Sequence, residues 1–433
     1  MTIVTLIKLE LSIIDRWAVG RVPEGDVGLP VIVDPRSGPP YRPYVPGSSL
    51  AGSLRRHLGQ DLAETWLAPE PGEWERAAAS AKIRSPLAFL GAFAVDSKVE
   101  VRGSTSVDPM RGAAMKGGLR YEQWNQPTKV LLALDHDGPH NEGLIDGLAS
   151  WEPTVGRGAS TGMGRAHVLS VDWLTLDLGD EAALTWWLTS RVDWYRTEGI
   201  AVPAGADDGT TTGRDKRSPA KYGIDTSWEV AEPVHIGTGT REAASEVTPE
   251  GRQPELLTVM RLGREPVIPG SSWKGVFRHR VESILSVLDG GPQVTKAVVE
   301  KLFGSLTNGV GLLGFADSVL PDRTVQRNHV AIDRFTGGAR DGALFKVEAV
   351  DRGTRVQLSI SSRREIPEPV RNLLGHVMRD LHDGLAGVGG MGTRGYGHVK
   401  LTKGFDIDTL VGVDPAEILR SVSTDEVTSE EAR

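Results

Sequence analysis

The sequence predicts an α+β protein of two tandem ferredoxin-like domains with inserted loops. Three observations carry this. The segment Val45-Pro46-Gly47-Ser48-Ser49-Leu50-Ala51-Gly52-Ser53-Leu54-Arg55-Arg56-His57 returns as Ile268-Pro269-Gly270-Ser271-Ser272-Trp273-Lys274-Gly275-Val276-Phe277-Arg278-His279-Arg280. Two further landmarks recur in the same order. Ser106-Val107-Asp108 parallels Ala331-Ile332-Asp333, and the loop Gly156 to Arg165 parallels Gly389 to His398. Pro46 and Pro269 lie 223 residues apart, Asp108 and Asp333 225, and Gly162 and Gly395 233. That drift fits duplication with small insertions. The period is far too long for a solenoid and suits two domains of ordinary size. Finally, each copy reads as β-α-β-β-α-β.

The elements follow in order. Residues 2–14 alternate and are rich in Ile, Val and Leu, a first strand. A Gly/Pro-rich stretch, about 20–47, is too long for a simple connection and reads as functional. Ser48 or Ser49 then caps a helix, with Leu50, Leu54, Leu58, Leu62 and Trp66 as its buried face and Arg55 and Arg56 off that stripe. Strands and a hairpin excursion around Asp108 to Gly118 occupy about 84–135. A short helix, about 139–151, precedes the glycine loop, and the strand His167 to Leu176 follows it. A helix over 180–198 packs through Trp186, Trp187 and Trp194. Polar residues 201–221 read as the linker between a first domain (1–200) and a second (222–405).

The second copy opens with a strand over Ser227 to Ile236 and an excursion over about 237–266. Its first helix presents Trp273, Phe277, Val281, Ile284 and Leu288. A later helix, 367–385, carries Val370, Leu373, Leu374, Val377, Met378, Leu381 and Leu385. Residues 406–433, acidic at Asp425-Glu426 and Glu430-Glu431, read as a solvated tail.

Composition narrows the function. The 433 residues contain no cysteine, which excludes disulfides, thiolate catalysis and zinc–thiolate sites. No apolar run reaches membrane-spanning length and no secretory leader is visible, so a cytoplasmic protein with no membrane role is expected. The net charge of −8 argues against a uniformly basic surface but not against a local basic groove. The ten histidines are scattered without metal-ligand spacing, and no nucleophile elbow is present.

The repeated turn has a physical meaning. Proline and glycine set a tight turn, and the helix start offers free amide hydrogens and a positive dipole end to a phosphate. Ser48, Ser49, Arg55 and Arg56 in one copy, and Ser271, Ser272, Lys274 and Arg278 in the other, are the candidate contacts. A capped amphipathic helix with a solvated basic face accounts for the same residues equally well. In the glycine loops, close backbone approach combines with Arg157, Arg165, Arg394 and Tyr396, which suit phosphate contact and base stacking. These loops follow a helix and precede a strand, so they are neither the dinucleotide fingerprint nor a Walker loop. A turn forced by tight strand entry is the alternative.

Together these residues resemble the RAMP superfamily, in particular the backbone (Cas7-type, Csm3-like and Cmr4-like) subunits of type III CRISPR effector complexes. The resemblance rests on Pro233-Val234-His235-Ile236-Gly237, Ile268 to Gly275, Gly314-Phe315-Ala316-Asp317, Ile332-Asp333-Arg334 and Gly389 to Gly397. The first copy is more diverged but keeps the order. The resemblance implies RRM-like (ferredoxin-like) domains with thumb-like hairpins. It also implies CRISPR RNA, target single-stranded RNA and other Cas proteins as partners.

It further implies target-RNA cutting by an aspartate between the first strand and the Pro-Gly-Ser-Ser helix. Asp26 occupies that place, with Asp34 in reserve, and Mg2+ or another divalent metal is the implied cofactor. The second copy has no aspartate between Asp225 and Asp289, which makes it inactive in this reading. Two alternatives stand: a backbone that only holds guide RNA, and a Cas6-like RNA-processing endonuclease using His57 or His136.

Overall fold

The computed structural model describes residues 3–20, 30–34, 42–58, 60–67, 85–95, 98–108, 113–197, 199–213, 222–243, 255–288, 291–305, 309–362 and 364–423. Two compact units result. Met1–Val101, Glu122–Ala159 and Met163–Arg217 form the first; Arg102–Tyr121, Ser160–Gly162 and Ser218–Arg433 form the second. The excursion of the first copy and the middle of its glycine loop therefore group with the second unit.

The first unit is built on β1 (Ile3–Ile13), buried on both faces because it is central. It pairs antiparallel with β7 (Thr128–Asp137) and β8 (Ala166–Asp177). The sheet also contains β2 (Val33–Asp34), β3 (Arg42–Val45), β4 (Leu87–Ala94) and β9 (Asp207–Thr212), in the order β2-β3-β4-β7-β1-β8-β9. Helix α1 (Gly47–Leu58) joins the first strand to β4, and α3 (Glu142–Ala149) joins β7 to β8. The central order β4-β7-β1-β8 is thus second, third, first and fourth strand, the ferredoxin-like arrangement.

Alternation along β1 sends Ile7, Leu9, Leu11 and Ile13 to one face, where Leu50, Leu54, Leu144, Ile145 and Leu148 of α1 and α3 cover them. Leu6 joins a second layer with Leu174, Leu176 and the buried face of α4 (Glu181–Arg196), including Ala183, Trp194 and Tyr195. Strands β5 (Val99–Asp108) and β6 (Ala113–Asn125) form the hairpin excursion expected there.

The second unit repeats the plan. Strands β10 (Ile224–Val230), β17 (Leu313–Phe315), β21 (Arg355–Ser362) and β22 (Val399–Lys403) form an antiparallel sheet in the order β17-β21-β10-β22. Helices α5 (Gly270–Val287) and α7 (Glu368–His382) occupy the two crossover positions. Trp228, Trp273, Phe277, Phe315 and the apolar stripe of α7 share one core.

A further sheet in the order β11-β12-β20-β19 is made by β11 (Gly237–Ala243), β12 (Glu255–Val259), β19 (Thr324–Ile332) and β20 (Ala339–Val350), the last two a long hairpin. Short pairings complete the unit: β13 (Arg261–Leu262) with β14 (Glu265–Ile268), β14 with β18 (Ser318–Val319), and β15 (Gly304–Ser305) with β16 (Gly309–Val310). Helix α6 (Gly291–Phe303), absent from the expected plan, adds Val298, Leu302 and Phe303 to the core.

Several expectations need correction. The apolar stripe does not run unbroken from Leu50 to Trp66. Helix α1 ends at Leu58, and α2 (Gln60–Leu67) starts in a new phase, burying Ala63 and Leu67 and leaving Leu62 49% exposed. The expected linker contains β9, an edge strand tied to β8, with Thr210 Oγ1 donating to Asp172 Oδ1 at 2.6 Å. The opening strand of the second copy is Ile224–Val230, not Ser227 to Ile236. Pro233 follows it, and Val234 and His235 make only isolated bridges. The expected tail contains α8 (Pro415–Ser423), whose Ile418 and Val422 complete the core. Helix α7 stops at His382, which leaves Leu385 68% exposed.

Candidate nucleic-acid interface

The glycine of each Pro-Gly-Ser-Ser turn is fixed by packing. A Cβ on Gly270 would lie 1.9 Å from the Phe315 carbonyl oxygen of β17, and one on Gly47 2.4 Å from that of Phe89 in β4. Both turns therefore seat the first helix directly on the second strand, the same contact in each unit.

The serines are not caps. Helix α5 begins at Gly270 with Pro269 at the N-cap and no side-chain cap, and α1 likewise begins at Gly47, so each serine pair lies in the first turn. Proline fits because this position needs extended backbone and no N–H. The Gly270 N–H is taken by Asp317 Oδ1 at 2.7 Å, and Asp317 lies 4.0 Å from Arg102, both nearly buried. A carboxylate thus already occupies this end of the α5 dipole. In the first unit the residue two beyond Phe89 is Gly91, so that strand supplies no carboxylate there. Ser48 and Ser271 are exposed, and Ser49 and Ser272 half-buried.

The basic side chains that follow are held internally. Arg55 Nη2 donates to the Leu67 carbonyl at 2.9 Å, and Arg278 Nη1 to that of Gly304 at 3.0 Å, so both brace helix ends. Lys274 Nζ donates to Ser160 Oγ at 3.0 Å; burial, and secondarily Arg278, lower its pKa from 10.5 to about 8. The Arg56 side chain lies outside the described residues, as does Asp26. Asp34 is described: it ends β2 and is 6% exposed.

The two glycine loops use matching glycines for matching contacts. Gly156 and Gly389 have φ of 78° and 89°; a Cβ there would meet the carbonyls of Ala18 (2.1 Å) and His235 (2.4 Å). Gly164 and Gly397, at 72° and 91°, lie against the carbonyls of Val155 and Val388. Close approach and left-handed backbone together require glycine.

The arginines differ. Arg157 donates to the Gln123 carbonyl at 2.7 Å and stacks on Trp124. Arg165 makes a bidentate pair with Asp15 at 2.7 and 3.0 Å. Arg394 is exposed at the tip of its loop, its guanidinium 5.3 Å from the Phe345 ring centre.

Around Arg394 the second unit gathers a basic–aromatic cluster. The Tyr396 hydroxyl and His329 Nε2 are 2.7 Å apart; His329 stacks on Phe345, and Arg327 lies 5.7 Å from the Tyr396 ring centre. Tyr396 is itself only 4% exposed, so its ring serves as support more than as an open stacking face. Burial, then Arg394 and Arg327, push the His329 pKa down, which favours the neutral imidazole. Sequence reading missed Arg327, His329 and Phe345. The signal was the period-two spacing of Arg327 and His329, with Phe345 directly opposite His329 across the hairpin. At the hairpin tip Phe335 is 82% exposed beneath Arg334, and Asp333 accepts from the Phe335 and Thr336 amides, both at 2.9 Å. Asp333 is thereby a turn former.

His57 touches Ser150, whereas His136 is 5% exposed and packs edge-on against Trp66. Among the described residues no group of three His, Cys, Asp or Glu is placed to hold a metal ion, and no helix is long and apolar enough to cross a membrane.

A duplicated ferredoxin-like α+β protein with a basic–aromatic surface on a long hairpin is the class these features define. Residues 229–400, within the second unit, match the family model of the RAMP superfamily. The first unit shares its strand order and glycine contacts with the second. No curated protein matches the chain.

Proposed function

We propose that this chain is a fused double backbone subunit of a type III CRISPR effector complex. It holds CRISPR RNA and cuts target RNA from its first copy, with Asp26 as the acting carboxylate. One observation carries the reading: the unit that matches the RAMP family model shares its strand order and glycine contacts with the other unit, each copy has a hairpin excursion, and an aspartate stands ahead of the turn in one copy only.

RNA supplies its own nucleophile, the 2′-hydroxyl, when the strand is splayed into line. Positioning and a carboxylate acting as base are then enough for cutting. Mg2+ or another divalent ion is the proposed cofactor, and chelation is its test. Among the described residues no group of three His, Cys, Asp or Glu would hold it. RNA contacts are assigned to the exposed Ser48, Ser271 and Arg394 and to the half-buried Ser49 and Ser272, while the buried Tyr396 supports the Arg394 loop. The internal partners of Arg55, Arg157, Arg165, Arg278 and Lys274 make these side chains braces within their own units.

The test is Asp26→Ala in the assembled complex. Cutting should be lost at one position in the target while a discrete guide RNA still copurifies. Unchanged cutting overturns the catalytic assignment, and absence of any copurifying RNA overturns the backbone reading. Asp34→Asn, at a buried position, should leave the cutting pattern unchanged.

A further inference from the structure

One contact of the second repeat has no counterpart in the first. Within the second unit, which includes Ser160–Gly162, the middle of the first glycine loop is seated on the second Pro-Gly-Ser-Ser turn. A Cβ on Gly162 would lie 2.3 Å from Ala316 Cα and 2.6 Å from the Phe315 carbonyl oxygen, and one on Gly270 2.5 Å from the Thr161 carbonyl oxygen. Lys274 Nζ donates to Ser160 Oγ at 3.0 Å along the same seam. Ala316, beneath the loop, is 7% exposed.

Both halves of this contact recur, and among the described residues neither recurrence has a mate. Ala159–Thr161 and Gly392–Arg394 are equivalent 3-10 turns, each followed by a glycine of positive φ, 72° for Gly162 and 77° for Gly395. Gly162 is pressed on a strand, whereas a Cβ on Gly395 would meet nothing within 4 Å. On the other side, strand register makes Leu90 the counterpart of Ala316, because Val45 pairs with Ala92 as Ile268 pairs with Ser318. Leu90 lies at the irregularity in β4 and is 42% exposed, where Ala316 is covered. A Cβ on Gly47 would have Phe89 atoms as its nearest neighbours, at 2.4, 2.6 and 2.8 Å, with no loop carbonyl among them.

We infer that a second molecule of this chain mates these halves: the second glycine loop of one molecule seats on the first Pro-Gly-Ser-Ser turn of the next, head to tail. The fit is the one that the chain already makes internally. Complementary halves on different parts of one surface form a heterologous contact, which either propagates or closes into a ring. The Arg394 carbonyl takes the place of the Thr161 carbonyl at Gly47, and Gly395 rests on Leu90 as Gly162 rests on Ala316. Leu90, larger than Ala316, adds apolar surface to bury. The pair equivalent to Ser160 and Lys274 is Thr393 and Ala51, so the amine bond is not repeated. A contact without that bond, confined to one loop and one turn, belongs to the weak class, and association is reversible and concentration-dependent. The inference rests on the duplication and not on RNA binding.

Sedimentation velocity of the nuclease-treated full chain over a wide range of concentration makes the test. The mass should rise from one chain toward two and more. Leu90→Glu blocks the turn and Gly395→Asn blocks the loop. Asn tolerates left-handed backbone and both positions are open, so melting should match the parent. Each variant alone should stay at the mass of one chain. An equal mixture should reach two chains and no more, because a single intact loop and a single intact turn remain to meet. Should Leu90→Glu melt lower than the parent, Leu90→Ser takes its place.

A parent that stays at one chain over the whole range overturns the inference. So does association undiminished in variants of unchanged melting. A mixture that stays at one chain also overturns it, since that marks a like-with-like interface. Guide RNA copurifying with the variants is scored separately, so failure of this contact and failure of the backbone reading are told apart.

Discussion

Two glycines in α5 separate packing from propensity. Gly270 faces the Phe315 and Thr161 carbonyls at 1.9 and 2.5 Å from a notional Cβ, whereas Gly275, one turn on, meets nothing within 4 Å. Gly270→Ala must push the helix off its strand and should cost about 2 kcal/mol or more, as overpacking does. Gly275→Ala should instead stabilise by up to about 1 kcal/mol through helix propensity. Thermal melting of the two variants should therefore move in opposite directions. Lys274 gives a pH-dependent counterpart. Its folded pKa of about 8 lies below the ordinary 10.5, so the folded state binds fewer protons between those values. Stability from this group is gained as pH rises from about 8 toward 10.5 and is lost as pH falls through about 8. Lys274→Met should raise the melting temperature at pH 7, and the gain should shrink as the pH approaches 10.5.

At the scale of elements, the amphipathic pieces were legible and the dependent ones were not. Helix α7 announces itself through Val370, Leu373, Leu374, Val377, Met378 and Leu381, all fully buried. Strand β9 reads Asp-Asp-Gly-Thr-Thr-Thr, with no apolar alternation, because an edge strand takes its register from β8 and not from its own hydrophobicity. Helix α8 hides two core residues, Ile418 and Val422, one turn apart among acidic neighbours. Ile418→Ala should cost about 2–4 kcal/mol by large-to-small truncation, a loss readable as a lower denaturant midpoint. A solvated tail would show no change. The site was legible in the same partial way. The glycine positions were visible in the repeat, but the carbonyls that demand them, such as Ala18 for Gly156 and His235 for Gly389, lie far along the chain. Pairings such as Arg165 with Asp15 are set by the completed fold and leave no local pattern.

For the whole molecule, a net charge of −8 and a polyanionic ligand are compatible only if cations are placed locally where the strand runs. The structure divides the candidate cations into two kinds with different expected signatures. Arg165 is committed to Asp15 in a bidentate pair, and Asp15 is 11% exposed, so Arg165→Gln leaves a shielded carboxylate without its partner and should lower the melting temperature. Arg394 sits exposed on a loop tip beside Phe345 and carries little of the fold, so Arg394→Gln should melt like the parent. If Arg394 neutralises a phosphate of single-stranded RNA, its loss should reduce the slope of log affinity against log salt by about 0.7, because one contact fewer releases one counterion fewer. The weakening should be greatest at low salt and similar across RNA sequences, since a phosphate contact carries no base information. Filter-binding titrations of the parent and both variants between about 50 and 200 mM salt make the measurement. An unchanged slope for Arg394→Gln would remove this loop from the RNA path and leave the helix starts as the remaining candidate contacts.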